Sequence, residues 1–402
     1  MYNVCKVAED TWWLGANDRR IELFENTYPV PNGMSYDNYL IMDEKTCLMD
    51  GVDEAVMPQF VENLDHVLAG RSLDYLVVQH MEPDHASAII PTLTARYPQM
   101  KVVASAKAFE IMNQFFHFDI ADRTIEVKEG DTLELGKHML NFVQAPMVHW
   151  PEVIVSYDSY SKVLFSADAF GEFGALGGNI FADEVDWERD WKDEARRYYT
   201  NIVGKYGLQT KMLLGKASKL DIQTICPLHG HVWRKDLGVI LDLYTKWATY
   251  TPEDKAVAIF YGSIYGHTAN AAEILARKLA DAGVRDVRVY DASKTTVSEL
   301  VSQSFRCSNL VFASSTYNMG IFDSMRELLE DLCAHALCNR TVGVIYNGSW
   351  APMAGQLLEQ KIGTMKNMTV LDPKVHVTSA VSEENLEQLQ ELADSIVASM
   401  KD

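Results

Sequence analysis

The stretch 78–85, which reads Val-Gln-His-Met-Glu-Pro-Asp-His, constrains the fold and the chemistry of this chain more than any other. It directly follows the apolar run 76–78, which predicts a buried strand. Its metal-competent side chains are His80, Glu82, Asp84 and His85. Such polar side chains are not expected within a buried core strand. The pattern therefore indicates a loop that binds metal at the end of a strand.

The residue types in this loop indicate which metals it suits. Imidazole and carboxylate without thiolate suit iron, manganese or zinc, and a carboxylate-rich set is not typical of purely structural zinc. Asp84 and His85 are adjacent, so they cannot point the same way as His80 and Glu82 unless the loop coils around two ions. We therefore expect a two-metal site. The alternative is a single ion or a hydrogen-bonded polar cluster.

Further ligands are expected from loops later in the chain. The candidates are His149, between two apolar stretches, and Asp168 and His229, each at the end of an apolar strand. Strand exits are where open sheets gather their sites. A lone histidine is more often a hydrogen-bonded structural residue, so the argument depends on the three residues together.

This arrangement of a His-x-Glu-x-Asp-His loop and later His, Asp and His positions resembles the metallo-β-lactamase-like domain of flavodiiron proteins, also called A-type flavoproteins. Hydrolases of that fold typically have His-x-His-x-Asp-His and zinc, whereas Glu82 replaces the second histidine here and favours iron. The resemblance implies one iron on His80, Glu82 and His149, a second on Asp84, His85 and His229, and a bridging Asp168. His231 lies outside this set, and we expect it to be structural or to support a ligand.

The composition and charge of the chain limit which partners and which cellular compartment are expected. The 402 residues suffice for two or three domains. The formal net charge of −20 argues against a nucleic-acid or anionic-membrane partner. No apolar run approaches the ~20 residues of a membrane helix, and residues 1–6 lack signal-peptide features. The 6 cysteines form no Cys-x-x-Cys pair, which suits a reducing compartment and excludes a rubredoxin module within this chain. We expect a cytoplasmic protein.

The first part of the chain, residues 1–250, mixes short strands with helices, the pattern of an αββα sandwich with ligands on its loops. Predicted strands lie at 10–15, 38–42, 46–50 and 101–104, a hairpin turn at 43–45, and helices at 56–69, 86–97 and 106–116. In the resembling family a tyrosine near position 198 approaches the di-iron pocket. Tyr198 and Tyr199 are both candidates for that position, and for each the alternative is a role in the hydrophobic core.

A polar, proline-containing break at 249–255 predicts the boundary between domains 1–250 and 251–402. Beyond the break, apolar strands alternate with helical stretches. The strands are predicted at 256–261, 287–290, 310–313, 342–346 and 375–377. This alternation predicts a doubly wound, five-stranded parallel sheet.

Three loops that follow strands of this second domain resemble the FMN-binding loops of flavodoxins. The first loop directly precedes a helix, and a helix N-terminus can bind phosphate without Lys or Arg. The alternative is that this loop is an ordinary strand-to-helix turn. The other two offer small polar residues for the isoalloxazine edge and one aromatic ring each. The residues predicted to bind FMN are Ser263, Ile264, Tyr265, Gly266, His267, Thr268, Ser315, Thr316, Tyr317, Asn318, Met319, Gly320, Asn347, Gly348, Ser349 and Trp350.

The resemblance covers nearly the entire chain and implies a cytoplasmic oxidoreductase in which FMN feeds a non-haem di-iron site. Two ferrous ions and reduced FMN hold four electrons, enough to reduce dioxygen to two waters, and two electrons suffice to couple two nitric oxides into nitrous oxide and water. The implied donor is rubredoxin, or reduced deazaflavin if the source is a methanogen. A head-to-tail homodimer, or a dimer of such dimers, is implied because the two cofactors of one chain are too far apart in the family.

Two alternatives belong to other classes of protein. One is a zinc-dependent hydrolase of the metallo-β-lactamase fold with an FMN-binding regulatory domain, and Glu82 counts against it. The other is a pure electron carrier with a vestigial first domain. The complete set of ligand positions argues against this alternative. Zinc content with hydrolytic activity would favour the first, and an absent or mononuclear metal would favour the second.

Overall fold

The computed structural model describes residues 2–86, 89–117 and 120–401, which form two compact units. The first unit contains the residues up to Tyr199 together with Leu208–Thr245. The second contains Thr200–Gly207 together with the residues from Lys246 onwards. The domain limits 1–250 and 251–402 stay a prediction.

The first 250 residues contain short strands and helices in alternation. The strands are β1 (Cys5–Ala8), β2 (Thr11–Trp13), β3 (Ala16–Asp18), β4 (Leu23–Phe24), β5 (Tyr28–Pro29), β6 (Met34–Tyr36), β7 (Tyr39–Met42), β8 (Thr46–Met49), β9 (Tyr75–Val78), β10 (Lys101–Ala104), β11 (Thr124–Glu126), β12 (Thr132–Glu134), β13 (Met139–Gln144), β14 (Ile154–Asp158), β15 (Val163–Phe165) and β16 (Thr224–Cys226). The α-helices are α1 (Met57–Leu68), α2 (Pro83–Ala86), α3 (Ile89–Arg96), α4 (Ala106–Phe116), α5 (Trp187–Asp190), α6 (Lys192–Tyr198), α7 (Gly207–Ala217) and α8 (Leu237–Ala248). Turns of 3-10 helix lie at Glu54–Val56, Ala121–Arg123, Ala182–Glu184 and Gly204–Tyr206, and a π-helical turn lies at Tyr199–Val203.

Two sheets of the first unit pack face to face. Their strand orders are β1-β2-β7-β8-β9-β10-β11 and β12-β13-β14-β15-β16. One buried cluster takes side chains from both, including Val77 of β9 and Phe165 of β15. β8, β9, β10 and β11 are parallel, so helices must cross between them. Leu76 precedes Val77 in β9, so its side chain points to the opposite face of the sheet. It is buried as well, as expected where helices cover the outer face. The predicted αββα sandwich is confirmed.

Local predictions for this unit agree closely with the structure. The turn at 43–45 joins the antiparallel strands β7 and β8. The helices predicted at 56–69 and 106–116 are α1 and α4, and the strand at 101–104 is β10. The helix predicted at 86–97 corresponds to α3, and its residues 87 and 88 lie outside the described residues.

The second unit is a doubly wound sheet covered on both faces. Its strands are β17 (Asp254–Gly262), β18 (Val287–Asp291), β19 (Cys307–Tyr317), β20 (Gly320–Ile321), β21 (Arg340–Asn347), β22 (Met368–Val370) and β23 (Val375–Val377), and its helices are α9 (His267–Asp281), α10 (Val297–Arg306), α11 (Asp323–Ala334), α12 (Ala354–Ile362) and α13 (Glu383–Ser399). Phe260 and Phe312 belong to one buried cluster, whereas their neighbours Ile259 and Val311 belong to another. Alternate side chains therefore enter two cores, one on each face of the sheet.

The order of this sheet is β18-β17-β19-β21-β22, with these neighbours parallel. This is the flavodoxin-like order, so the predicted doubly wound sheet is confirmed. The fifth position is divided, because β22 pairs with the start of β21 and β23 with its end. Within residues 2–86, 89–117 and 120–401, no helix has the length and apolar composition required to span a membrane.

Candidate metal centre and flavin pocket

The loop after β9 is held by hydrogen bonds to its backbone. Asp50, just beyond the parallel strand β8, accepts hydrogen bonds from Gln79 N at 2.7 Å and from His80 N at 3.3 Å. Glu152 accepts another from Met81 N at 2.9 Å. Successive residues of the loop are thereby fixed, and this fixes the direction in which the His80 side chain leaves it.

Three further side chains leave the second sheet at one edge. β13 and β15 both run antiparallel to β14, and β16 runs parallel to β15, so β13, β15 and β16 end on the same side. His149 follows β13, Asp168 follows β15 and His229 follows β16. Strand direction therefore brings together residues that are far apart in the sequence.

The predicted ligand side chains form two groups of closely spaced polar atoms that share Asp168. The first group is His80, Glu82, His149 and Asp168, and the second is Asp84, His85 and His229, with ligand atoms within 4.8 Å of one another in each group. Asp168 Oδ2 is 3.1 Å from His80 Nε2 and 3.3 Å from His149 Nε2. Asp168 Oδ1 is 3.3 Å from His85 Nε2 and 3.7 Å from His229 Nε2. Each oxygen of this carboxylate faces a different group, as a bridging ligand requires.

Each group also contains a carboxylate of its own. Glu82 Oε2 lies 3.2 Å from His80 Nε2 and 2.9 Å from His149 Nε2. Asp84 Oδ2 lies 3.4 Å from His85 Nε2 and 3.2 Å from His229 Nε2. Each group thus offers two imidazoles and a carboxylate, a donor set that suits iron, manganese or zinc.

Several of these buried polar atoms have no hydrogen-bond partner among the described residues. They are both carboxylate oxygens of Asp84 and Asp168, both ring nitrogens of His85, and Nε2 of His229. Nε2 of His85 and of His229 each lie within 3.7 Å of Asp84 Oδ2 and Asp168 Oδ1, but outside hydrogen-bond geometry. Because unsatisfied buried polar groups are costly, this convergence fits two metal ions and does not fit a self-satisfied polar cluster.

The pKa values in the metal-free protein reflect this crowding of charges. Burial raises the pKa of the carboxyl groups, but His80 and His149 outweigh it, so the pKa values of Asp168 and Glu82 lie well below their usual range. Burial lowers the imidazole pKa, but neighbouring carboxylates raise it to about 9 for His149 and for His229. Asp168 and Glu82 are therefore anions, and a metal must displace protons from His149 and His229.

Outer contacts fix the orientation of two of the imidazoles. His80 Nδ1 lies 2.8 Å from Glu152 Oε1, and His229 Nδ1 lies 2.6 Å from the carbonyl oxygen of Ser35. Both acceptors require a proton on Nδ1, which leaves Nε2 of each ring for the site. Sequence reasoning did not identify Glu152, although it stands only three residues after His149.

Glu25 is a second residue near the site that sequence reasoning did not identify. It lies in the turn between β4 and β5, where Glu25 and Asn26 have φ of 50° and 54°, as in a tight hairpin turn. The residue is exposed as a whole, but loss of water around its carboxyl and the neighbouring carboxyl of Glu82 raise the pKa of Glu25 to about 8. No local signal distinguishes Glu25 from other acidic residues, because its proximity depends on where this hairpin packs.

The structure distinguishes Tyr198 from Tyr199. The ring of Tyr198 lies 5.6 Å from that of His229, whereas Tyr199 packs against Tyr244 at 5.0 Å. His231 belongs to neither group of ligand atoms, and its Nδ1 lies 2.9 Å from Glu172 Oε2.

The predicted flavin loops surround one pocket of about 660 Å³ in the second unit. Its lining consists of Ser263, Ile264, Tyr265, His267, Thr268, Ser315, Thr316, Tyr317, Asn318, Met319, Asn347, Gly348, Ser349, Trp350, Ala351 and Ser379. Two predicted residues are outside this lining: Gly266 is the N-cap of α9, and Gly320 pairs with Tyr317 in β20. Sequence reasoning missed Ala351 and Ser379, and Ser379 comes from the loop after β23.

The chemistry of this pocket suits a phosphate and a flat aromatic ring. The N-terminus of α9 provides backbone N–H groups, and Thr268 Oγ1 lies 2.8 Å from Ser315 Oγ. The lining contains no Lys or Arg among the described residues. Tyr265 and Trp350 expose 88% and 82% of their surface, so both rings are available for stacking. The fold and its two sites define a flavin-binding metalloprotein of two domains.

Comparisons with known proteins give the family. A model described as "ODP family beta lactamase" matches residues 34–230, and a flavodoxin model matches residues 259–392. The chain is 30% identical to the anaerobic nitric oxide reductase flavorubredoxin of Escherichia coli (strain K12 / DH10B), across 89% of this chain and 74% of that protein. The rubredoxin oxygen:oxidoreductase of Desulfovibrio gigas is 28% identical and superposes with a TM-score of 0.92, covering 99% of this chain and 98% of that one.

A further structure shares the fold. The flavodiiron protein of Giardia intestinalis, at 23% identity, superposes with a TM-score of 0.90 over 100% of this chain and 98% of that one. The chain therefore belongs to the flavodiiron protein family. It is a flavin- and di-iron-dependent oxidoreductase, and family membership implies FMN and a di-iron centre as its cofactors.

Proposed function

We propose that this protein reduces dioxygen to water, nitric oxide to nitrous oxide, or both, at a non-haem di-iron site supplied with electrons by FMN. The observation that carries the proposal is Asp168, whose two oxygens face separate groups of buried imidazoles and carboxylates. The names of the relatives, a nitric oxide reductase and an oxygen oxidoreductase, support both substrates.

The proposed ligands divide between two ions. His80, Glu82 and His149 would hold one iron, Asp84, His85 and His229 the other, and Asp168 would bridge them. When bound, two ferrous ions and reduced FMN would supply four electrons, which suffice to reduce dioxygen to two waters, whereas two electrons suffice to convert two nitric oxides into nitrous oxide and water. The remaining work of the protein is to hold these groups and to keep the site dry.

Aromatic residues enclose the second group of ligands. The rings of Phe24, Tyr36 and Tyr198 lie 5.4, 5.6 and 5.6 Å from the ring of His229, and all are buried. They would exclude water from the substrate. The hydroxyl of Tyr198 is buried and makes no hydrogen bond to the described residues, so it can donate one to a small oxygen-containing substrate.

FMN would occupy the pocket of the second unit. Its phosphate would bind at the N-terminus of α9 with Ser263, Ile264, Tyr265, Gly266, His267 and Thr268. Its ring would bind between the other two loops, 315–320 and 347–350. Stacking on Trp350 or Tyr317 would orient the ring.

The proposal includes partners and a compartment. Electrons would come from an external donor, rubredoxin or reduced deazaflavin, and a head-to-tail homodimer, or a dimer of such dimers, would bring the FMN of one chain near the di-iron site of another. A cytoplasmic location is supported by the cysteines, which are free throughout the described residues. Nucleic acid and membrane are not among the proposed partners, given the net charge of −20. We also propose residues 1–250 and 251–402 as the domain limits.

The decisive experiment measures cofactor content and gas consumption together. Two irons and one FMN per chain are expected, with rapid loss of dioxygen or nitric oxide when the chemically reduced protein is mixed with either gas. The ratio of the two rates gives the preferred substrate. Bound zinc with neither gas consumed would overturn the proposal in favour of the hydrolase, and Glu82 would then need another explanation.

A further inference from the structure

Glu152 is a buried acid that contacts the candidate metal centre from outside its ligand set. Its Oε1 lies 2.8 Å from His80 Nδ1 and accepts a hydrogen bond from Met81 N at 2.9 Å. Its backbone carbonyl accepts a hydrogen bond from Ser105 Oγ at 2.9 Å. The side chains of His80 and Glu152 are both fully buried, so water does not screen their interaction.

The Glu152 carboxyl group accepts hydrogen bonds at Oε1, from His80 Nδ1 at 2.8 Å and from Met81 N at 2.9 Å, and such donors stabilise a carboxylate. Its other oxygen, Oε2, is buried and makes no hydrogen bond to the described residues. The charge of Glu152 is therefore compensated mainly through His80.

In the second group, no acid among the described residues hydrogen-bonds the outer ring nitrogen of an imidazole. His229 Nδ1 donates to the neutral carbonyl of Ser35 at 2.6 Å. His85 Nδ1 is buried and has no hydrogen-bond partner among the described residues. Each group has one carboxylate of its own besides Asp168, so the acid behind His80 is a difference between the imidazoles of the two groups.

A carboxylate behind an imidazole makes that ring a more basic ligand and a stronger electron donor. A stronger donor stabilises the ferric state more than the ferrous state. The ion held by such a ring therefore binds more tightly and accepts an electron at a lower potential. An imidazole that donates to a neutral carbonyl lacks this effect.

We infer that Glu152 is a positioning residue that makes the two irons inequivalent, so that the ion at Asp84, His85 and His229 is reduced first and the ion at His80, Glu82 and His149 second. This inference rests on the proposed function, because it requires iron in both groups. In each step one ferric ion gains one electron and the reductant loses one. No bond is broken, and the proton on His80 Nδ1 stays shared with Glu152.

The test uses the full-length protein loaded with ⁵⁷Fe and FMN, comparing wild type with Glu152→Gln. The amide keeps the shape of the side chain but removes the charge. We expect the reduction potential of the iron couple with the lower potential to rise. The potential of the other iron couple should not change. In the state reduced by one electron, the ferric Mössbauer component should change and the ferrous component should not. Affinity for one of two Fe(II) ions should fall by about 10–100-fold, as is typical of an outer partner of a metal ligand.

Glu172→Gln provides a matched control. Glu172 is fully buried, as is its partner His231, and the pair is separated by 2.9 Å, but His231 is not among the ligand atoms. This variant also removes one buried carboxylate next to an imidazole. It should leave both iron couples, and the affinities for both ions, as in wild type.

A second variant, Glu152→Asp, keeps the charge on a shorter side chain and should give potentials between those of wild type and Glu152→Gln. The inference is overturned if Glu152→Gln leaves both couples in place, if it moves the higher-potential couple, or if Glu172→Gln produces the same changes. These outcomes are distinct from failure of the proposed function, which would show in the wild-type protein as absence of two irons or of gas reduction.

Discussion

The candidate metal centre and the flavin pocket differ in burial and in charge. The metal ligands are buried and charged, and several of their polar atoms have no hydrogen-bond partner among the residues that the structure describes. The flavin pocket is open and nearly neutral, with two of its aromatic rings more than four-fifths exposed. One site must therefore be assembled from strands of two sheets, whereas the other is made by loops at one edge of one sheet.

This difference indicates how each site should respond to mutation. In a buried group of charges, removing one member leaves the others uncompensated, and the cost is large. In an open pocket built from hydroxyls, backbone N–H groups and rings, each contact contributes little and water can replace it. We therefore expect single substitutions to abolish the first site but only to weaken the second.

The largest effect is expected from Asp168→Asn. Among the described residues, it removes the only carboxylate whose oxygens approach both groups, at 3.1 Å from His80 and 3.3 Å from His85. Loss of a residue that only hydrogen-bonds a metal ligand typically lowers metal affinity by up to ~100-fold. Asp168→Asn should lower the affinity for both ions by more than this, as measured by metal content after equilibration with a chelator. Asp183→Asn is the control, because Asp183 pairs with Arg234 and Lys235 and belongs to neither group of ligand atoms. Retention of both ions by Asp168→Asn would contradict the bridging role.

Raising the pH should destabilise the metal-free protein. The pKa values of His149 and His229 are raised to about 9 in the folded state, from an ordinary value of 6.5. Their contribution is fully present below pH 6.5 and is lost as the pH rises through about 9. The free energy of unfolding in urea should fall over this range, by at most about 1.4 kcal/mol per pH unit for each group.

The metal-loaded protein provides the contrast, because an imidazole whose Nε2 is bound to a metal cannot take up a proton on that nitrogen. Its stability relative to the metal-free protein should rise with pH over the same range. His229→Asn should reduce the pH dependence of the metal-free protein. A metal-free protein whose stability is flat or rises from pH 6.5 to 9 would contradict the charge arrangement described above.

Gly230→Ala should destabilise the first unit by about 2–5 kcal/mol, the sum of a left-handed backbone and a steric overlap. Gly230 has φ of +85°, and an added Cβ would lie 2.7 Å from Glu172. Because Gly230 follows His229, metal affinity should fall as well. Gly178→Ala is the matched control, since nothing lies within 4 Å of a Cβ added there. Equal unfolding midpoints for the two variants would show that the loop adjusts freely.

The smallest effect is expected from Trp350→Ala in the flavin pocket. A lost aromatic stacking contact costs ~0.5–1.5 kcal/mol, which corresponds to about 2- to 13-fold weaker FMN binding. The unfolding midpoint without FMN should not change, because 82% of this side chain is exposed. Trp350→Phe keeps a ring and should bind FMN nearly as wild type does. Complete loss of FMN from Trp350→Ala would mean that the two sites do not differ in the way proposed.

Local sequence patterns predicted much of this molecule. The apolar run before His80 predicted β9, the turn at 43–45 predicted the β7–β8 hairpin, and the alternation after residue 255 predicted the second sheet. Most residues of the three flavin loops line one pocket, because parallel strands end at a common edge of the sheet. These features depend on periodicity and on strand-to-loop transitions, which neighbouring residues encode.

Other features were decided only by tertiary structure. The approach of Glu152 to His80, the position of Glu25 beside Glu82, and the choice of Tyr198 over Tyr199 have no local signal. Each depends on the direction in which a distant strand or hairpin enters the site. The sequence by itself determined which side chains leave the sheets at their ends, whereas the packing of two sheets against each other decided which of those side chains meet. Packing is a property of the assembled core, which no short stretch of residues specifies.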